Sequence, residues 1–396
     1  MLAPLDLITT PNVFASSYAL ADVWISRDRQ SVADYAYGGT RLIDPDTTDQ
    51  EVEQHLGRLT LYESSLKNRL IDLSLEKNVL ASFTDRLPTG LVKSRIGGAR
   101  CIIRPRTAEI AAVMKNPQHP EFRATIEDLF KDIGKFLNEL EGEIKLTPDF
   151  GRFAGLADIL AQFTPHVLGI KCEDGGCGGK SSYSSTGVIA ALETLGYAEH
   201  KDTPVTLIGA AGAMGSDMLN YFSQAGYTDL AICDLVYDND HLHPGSLEHP
   251  WQLPSAKRMF TDACLQRGGL IVATTIGQEL ENSNWQIIPS GTTLLLAHNL
   301  AIPEGEPGIA LMQNIAQRGI LAIPGQALTL GGALTSRLEW FWRQTHPGQS
   351  FDKPLAHAVV RALISSLISD TYNLAQTMNI TPYEVILHMA NREWKQ

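Results

Sequence analysis

The chain has 396 residues, 44% hydrophobic and 19% charged, a globular composition long enough for two ordinary domains. Its formal net charge of −12 argues against nucleic acid or an anionic membrane as partner. No apolar run reaches spanning length and the N-terminus lacks a basic region before an apolar core, so neither a membrane helix nor a signal peptide is expected.

In chain order, Asp22–Ser26 and Thr40–Ile43 read as strands around a turn at Tyr37, Gly38 and Gly39. Asp46 to about Leu75 has helical apolar spacing, with Thr47 or Thr48 as its cap. Asn78–Phe83 suits a strand, Asp85–Gly98 a basic loop, and Cys101–Ile103 a short strand. Pro117–Pro120 is a turn before a helix at Glu121–Leu140. The crossing into a second domain falls within Phe163–Gly175, followed by a helix at Ser185–Tyr197. Leu270–Ala273, Thr293–Leu296 and Ile320–Ile323 are short apolar strands in a βαβ rhythm. The tail from Leu355 to about Arg392 is mostly helical, with a break at Asn379–Pro382.

Cys172 and Cys177 flank Glu-Asp-Gly-Gly without a nearby histidine to complete a zinc set, so no metal is expected. The odd count of five cysteines favours reduced thiols and a cytoplasmic location.

Residues 205–234 carry the strongest motif. An apolar run, Val205–Ile208, enters a bend containing Gly209, Ala210, Gly212, Ala213, Met214 and Gly215. A helical stretch with Met218, Leu219, Phe222 and Ala225 on one side follows, then the apolar run Leu230–Cys233 and Asp234. Strand, glycine bend, helix, strand and acid make the layout that holds a dinucleotide pyrophosphate at a helix N-terminus. Side chains must be small in the bend so that backbone N–H groups reach phosphate. Gly212 and Gly215 take the second and third glycine positions, and Ala210, preceded by Gly209, takes the first. An acid at position 234 accepts hydrogen bonds from the adenosine ribose hydroxyls and repels a 2′-phosphate, which favours NAD over NADP.

Other segments fall in a telling order: Gly38-Gly39-Thr40-Arg41, Gly97-Gly98-Ala99-Arg100, Thr147-Pro148-Asp149, Ser184-Ser185-Thr186-Gly187-Val188, Ala297-His298-Asn299, and Pro324 through Gly332. With the tail from Asn379 to Arg392, they resemble the amino acid dehydrogenases that act on glutamate, leucine, phenylalanine and valine. The resemblance implies an α/β fold of two domains, 1–180 for substrate and 181–345 as a Rossmann-type, doubly wound NAD-binding domain. Residues 346–396 would form helices returning to the first domain. Substrate carboxylate would lie near Gly38, Gly39, Lys67 and Arg100, with Thr329 and Gly332 also lining its site. Asp149 would be the catalytic aspartate, Ser184 and Asn299 would border the nicotinamide, and Thr274 would also bind the cofactor. A homo-oligomer is expected on the same ground.

The pattern is also broken. The family's catalytic lysine is Arg100 here, and arginine stays protonated at neutral pH. Its asparagine near the substrate amine is Thr329, and an insertion separates Lys67 from Arg100. Lys67, Lys77 or Lys93 takes the missing role, or Asp149 carries proton transfer with Arg100 as anchor, or the site does not act on amino acids. The expected function is NAD-dependent hydride transfer at the α-carbon of an apolar or aromatic amino acid, or of its imino or 2-oxo counterpart. The alternatives are an imine or 2-oxo reductase that needs no ammonia, and a non-catalytic NAD-binding regulator.

Overall fold

The computed structural model describes residues 11–28, 33–150, 153, 155–234, 256–258, 261–275, 280, 284–299 and 301–392. The first sheet uses β1 (Asn12–Ser17), β2 (Ala21–Arg27), β3 (Tyr35–Leu42), β4 (Ile96–Pro105) and β5 (Ile144–Thr147) in the spatial order β1-β2-β4-β3-β5. The pairs β1–β2 and β2–β4 are antiparallel, whereas β3 runs parallel to β4 and β5.

The turn expected at Tyr37–Gly39 is therefore the middle of a strand, and Gly97 and Gly98 lie inside β4 rather than ending a loop. Tyr37 pairs with Gly98. The glycines serve close approach. A Cβ on Gly38 would stand 1.5 Å from Ala99 O, and one on Gly98 would stand 2.3 Å from Ser65 N. Asp28 locks this contact, accepting from Gly98 N–H at 2.8 Å and from the Ser65 hydroxyl at 2.6 Å.

Helix Phe122–Glu139 covers one face of this sheet through Ile126, Leu129, Ile133 and Leu137. On the other face, Val52, Leu56 and Leu59 pack on Trp24 and Ile102. Thr48 starts that second helix with a reciprocal capping box to Glu51. The helix widens to π-helical at Leu59–Ser65, then continues as Leu66–Glu76. The expected strand at Asn78–Phe83 is absent. Asn78 adopts the left-handed conformation (φ 57°), the chain turns, and Ala81–Phe83 is a 3-10 helix.

The second sheet contains β6 (Val205–Ile208), β7 (Leu230–Cys233), β8 (Ala256–Arg258), β9 (Leu270–Ala273), β10 (Thr293–Leu296) and β11 (Leu321–Ile323). Their order is β11-β10-β9-β6-β7-β8 and every pairing is parallel. This is the Rossmann strand order, with its topological switch between β6 and β9. β6, β7, β9 and β10 are apolar almost throughout and buried along their whole length, as a parallel sheet covered on both faces requires.

Helix Ser181–Thr194 links the sheets and packs against Leu330–Thr345 and Lys353–Met378. The break expected near Asn379 is a left-handed C-cap (φ 53°), after which Pro382–Arg392 packs back on Leu66–Glu76. Glu339, fully buried, pins the connecting segment by accepting from Gly169 N–H at 2.8 Å and Cys177 N–H at 3.0 Å. Among the described residues, no helix is long and apolar enough to cross a membrane.

Candidate active site

The Val205–Ile208 strand ends in a bend whose glycines have separable tasks. Gly209 has φ +82°, so it makes the tight turn that the motif otherwise assigns to Ala210. A Cβ on Gly215 would lie 2.1 Å from Gly209 O, so its absence lets helix Ala213–Gln224 dock against the strand. Gly212 is that helix's N-cap and makes no side-chain cap. The first-turn N–H groups of Ala213, Met214 and Gly215 thus lack intrahelical acceptors and suit an anion such as a pyrophosphate. Asp234 lies at the carboxyl end of β7, where its Oδ2 accepts from Ala211 N–H at 3.0 Å. Across the switch point, the Thr274 hydroxyl lies 3.1 Å from the carbonyl oxygens of Ile208 and Gly209.

A cavity of about 520 Å³ opens between the two sheets. Gly38, Gly39, Lys67, Arg100 and Asp149 line it from one side, and Ser184, Met214, Thr274, Asn299, Thr329 and Gly332 from the other. Asp149 follows β5 and accepts from Thr40 N–H at 2.8 Å. A Cβ on Gly39 would lie 2.5 Å from Arg100 Nη1 and 2.6 Å from Asp149 Oδ2, so this glycine leaves the space where both groups reach.

The π-helical turn brings Glu63 and Ser64 under Arg100. Arg100 pairs with Glu63 through Nη2 and donates from Nε to Ser64 Oγ at 2.9 Å. Lys67, one turn on, lies 3.9 Å from Glu63 and donates to Asn299 Oδ1 at 2.5 Å, bridging the cleft. Thr329 Oγ1 is 3.1 Å from the same Asn299 oxygen and donates to Gly325 O at 2.7 Å. Burial is the largest influence on Lys67, and with the neighbouring positive charges of Arg100 and Lys180 it brings the ammonium down to about 8 against the pull of Glu63 and Asp149. Arg100 is pushed up from its ordinary value, as Glu63 and Asp149 outweigh its desolvation.

Three comparisons bear on this geometry. No family model matches the sequence, and neither does any curated protein. Solved structures do match. L-tryptophan dehydrogenase from Nostoc punctiforme has a TM-score of 0.65 at 15% identity, covering 97% of this chain and 95% of that one. Hetero-hexameric glutamate dehydrogenase from Thermus thermophilus, in its Leu-bound form, gives 0.67 at 15%, covering 97% and 87%. Glutamate dehydrogenase from Peptoniphilus asaccharolyticus gives 0.65 at 16%, covering 98% and 91%.

The fold is that of the amino acid dehydrogenases.

On this amino acid dehydrogenase fold the residues expected near substrate and nicotinamide share one cavity. Gly209, Gly212, Ala213, Gly215 and Asp234 sit apart at the glycine bend. Of the three lysines considered for the missing role, Lys67 lines the cavity. Lys77 pairs with Asp370 at the surface, and Lys93 borders a separate groove of about 250 Å³. Sequence reasoning missed Tyr37, Glu63, Ser64 and Lys180, all in the cavity wall. Glu63 and Ser64 carried a findable signal, since they precede Lys67 by one helical turn. Apolar contact is available from Leu59, Met214, Ala297 and Ala333.

Proposed function

We propose that this protein is an NAD-dependent oxidoreductase that interconverts an amino acid with its imino or 2-oxo acid. One observation carries the reading: Asp149, Lys67 and Arg100 meet Ser184, Thr274 and Asn299 in a single cleft beside a glycine bend. The bend fits a dinucleotide because its N-cap is a glycine with no side-chain cap and the helix amides behind it are open to an anion. Asp234 beside that bend supports NAD over NADP. When bound there, the nicotinamide supplies or accepts the hydride.

The remaining work falls to side chains. Arg100 keeps its charge and holds a carboxylate beside Gly39. Asp149, fixed by Thr40 N–H, exchanges a proton with the reacting nitrogen, directly or through water. Lys67, neutral above about pH 8, takes the proton from water attacking an imine, which Arg100 cannot do. Leu59, Met214 and Ala333 are the surfaces an apolar side chain would touch. The division at residues 180 and 345, a homo-oligomeric state and a cytoplasmic setting belong to the same proposal. The glutamate dehydrogenase from Thermus thermophilus is itself described as hetero-hexameric.

The test is a 340 nm assay with NADH, ammonia and a panel of 2-oxo acids. Ammonia-dependent oxidation of NADH is expected, and Asp149→Asn should lower kcat by about 10²- to 10⁴-fold with NADH affinity unchanged. Turnover without ammonia would make the protein a plain carbonyl or imine reductase. Binding of NADH without turnover on any substrate would make it a regulator.

A further inference from the structure

Lys180 occupies the cavity wall without any part in the reaction described so far. It is the last residue before helix Ser181–Thr194, and its side chain crosses to the first sheet. There its ammonium donates to the Tyr37 hydroxyl on β3 and to Thr147 Oγ1 on β5.

The hydrogens around it can be assigned. Ser336 Oγ donates to Gly332 O at 2.9 Å, so it is left to accept from the Tyr37 hydroxyl at 2.7 Å. Thr147 Oγ1 donates to Leu168 O at 3.1 Å. Tyr37 and Thr147 therefore present lone pairs to the Lys180 amino group. An ammonium has three N–H donors, and two are used. The third is left over, and Lys180 lines the same cavity as Asp149 and Arg100. Lys180 is also held above its ordinary value, where Tyr37, Cys177 and Asp149 overcome its desolvation. It thus differs from Lys67. One lysine exchanges protons near pH 8, and the other stays charged.

We propose that Lys180 binds the substrate carboxylate, donating its third N–H to one carboxylate oxygen while Arg100 engages the other. This rests on the oxidoreductase reading above. Carboxylate has lone pairs enough for both donors, and a fixed ammonium held by two hydroxyls is pre-organised for it.

The test compares wild type, Lys180→Gln and Lys180→Arg. Each binds, in the presence of NADH, a 2-oxo acid and the methyl ester of the same acid, measured by calorimetry, with KM and kcat where turnover is seen. Lys180→Gln should weaken the acid by about 10- to 100-fold and the ester by less than about 3-fold, with kcat largely kept and NADH binding unchanged. Lys180→Arg should recover much of the acid's affinity. A variant that weakens acid and ester equally would show a purely structural role, and one that binds the acid as wild type does would overturn the assignment. If wild type binds the acid yet turns over no 2-oxo acid even with ammonia supplied, the oxidoreductase reading fails, while the affinity ratio still judges Lys180.

Discussion

At the scale of single residues, the proposed function has Arg100, in place of the expected catalytic lysine, dividing two tasks with Lys67. Arg100 is charged throughout the accessible pH range and locked by Glu63 and Ser64, so it suits holding rather than exchanging. Lys67 has the opposite character. Its folded-state value near 8 lies below the ordinary 10.5, because burial disfavours its charge. Amine oxidation should therefore rise through about pH 8 as Lys67 loses its proton, and a profile flat from about pH 7 to about pH 10 would count against this role. The same shift has a stability consequence. Between about 8 and 10.5 the unfolded chain binds this proton and the folded chain does not, so stability increases with pH across that window. Below about pH 8 the charge costs the fold about 3 kcal/mol. Lys67→Met should accordingly raise Tm at pH 7, with the gain fading toward pH 10.5, while turnover falls.

At the scale of elements, the glycine pairs show where sequence reading succeeds and where it stops. The unit from Val205 to Asp234 was legible because strand, bend, helix and acid are contiguous and each piece has a local signature. The pair Gly38–Gly39 looked like a turn because its cause is remote: Ala99 O on β4 in one case, the Arg100 and Asp149 side chains in the other. The two glycines should then respond differently to alanine. Gly38→Ala puts a methyl on a backbone carbonyl and should break the β3–β4 pairing, giving insoluble protein or a large loss of Tm. Gly39→Ala meets side-chain ends, so it should fold with near-native circular dichroism and lose turnover. Equal behaviour of the two variants would contradict this division. The π-helical turn is a further element that apolar spacing did not reveal. Leu59 and Leu66 remain buried through it, yet the wider turn also buries Glu63 and Ser64 against Arg100.

At the scale of the whole molecule, the site exists only because two sheets face one another. Lys67 reaches Asn299 and Arg58 reaches Glu304 at 2.7 Å across that divide, and Lys180, at the start of the linking helix, reaches back to Tyr37. No stretch of sequence contains these pairings, which is why Lys180 passed unnoticed among Gly178, Gly179 and Ser181 whereas Asp149 and Asn299 were found through their neighbours in the chain. The order β1-β2-β4-β3-β5 was hidden for the same reason, since β3 and β4 are separated by the long helix and its insertion. In the proposed function, hydride crosses this cleft to the substrate α-carbon. The test gives the protein NADH dideuterated at C4, with 2-oxo acids and ammonia, and analyses the products by mass spectrometry. The expected product is an amino acid carrying deuterium at Cα, formed by wild type and lost with Asp149→Asn. Formation of a hydroxy acid instead, or of no deuterated product from any 2-oxo acid, would contradict it.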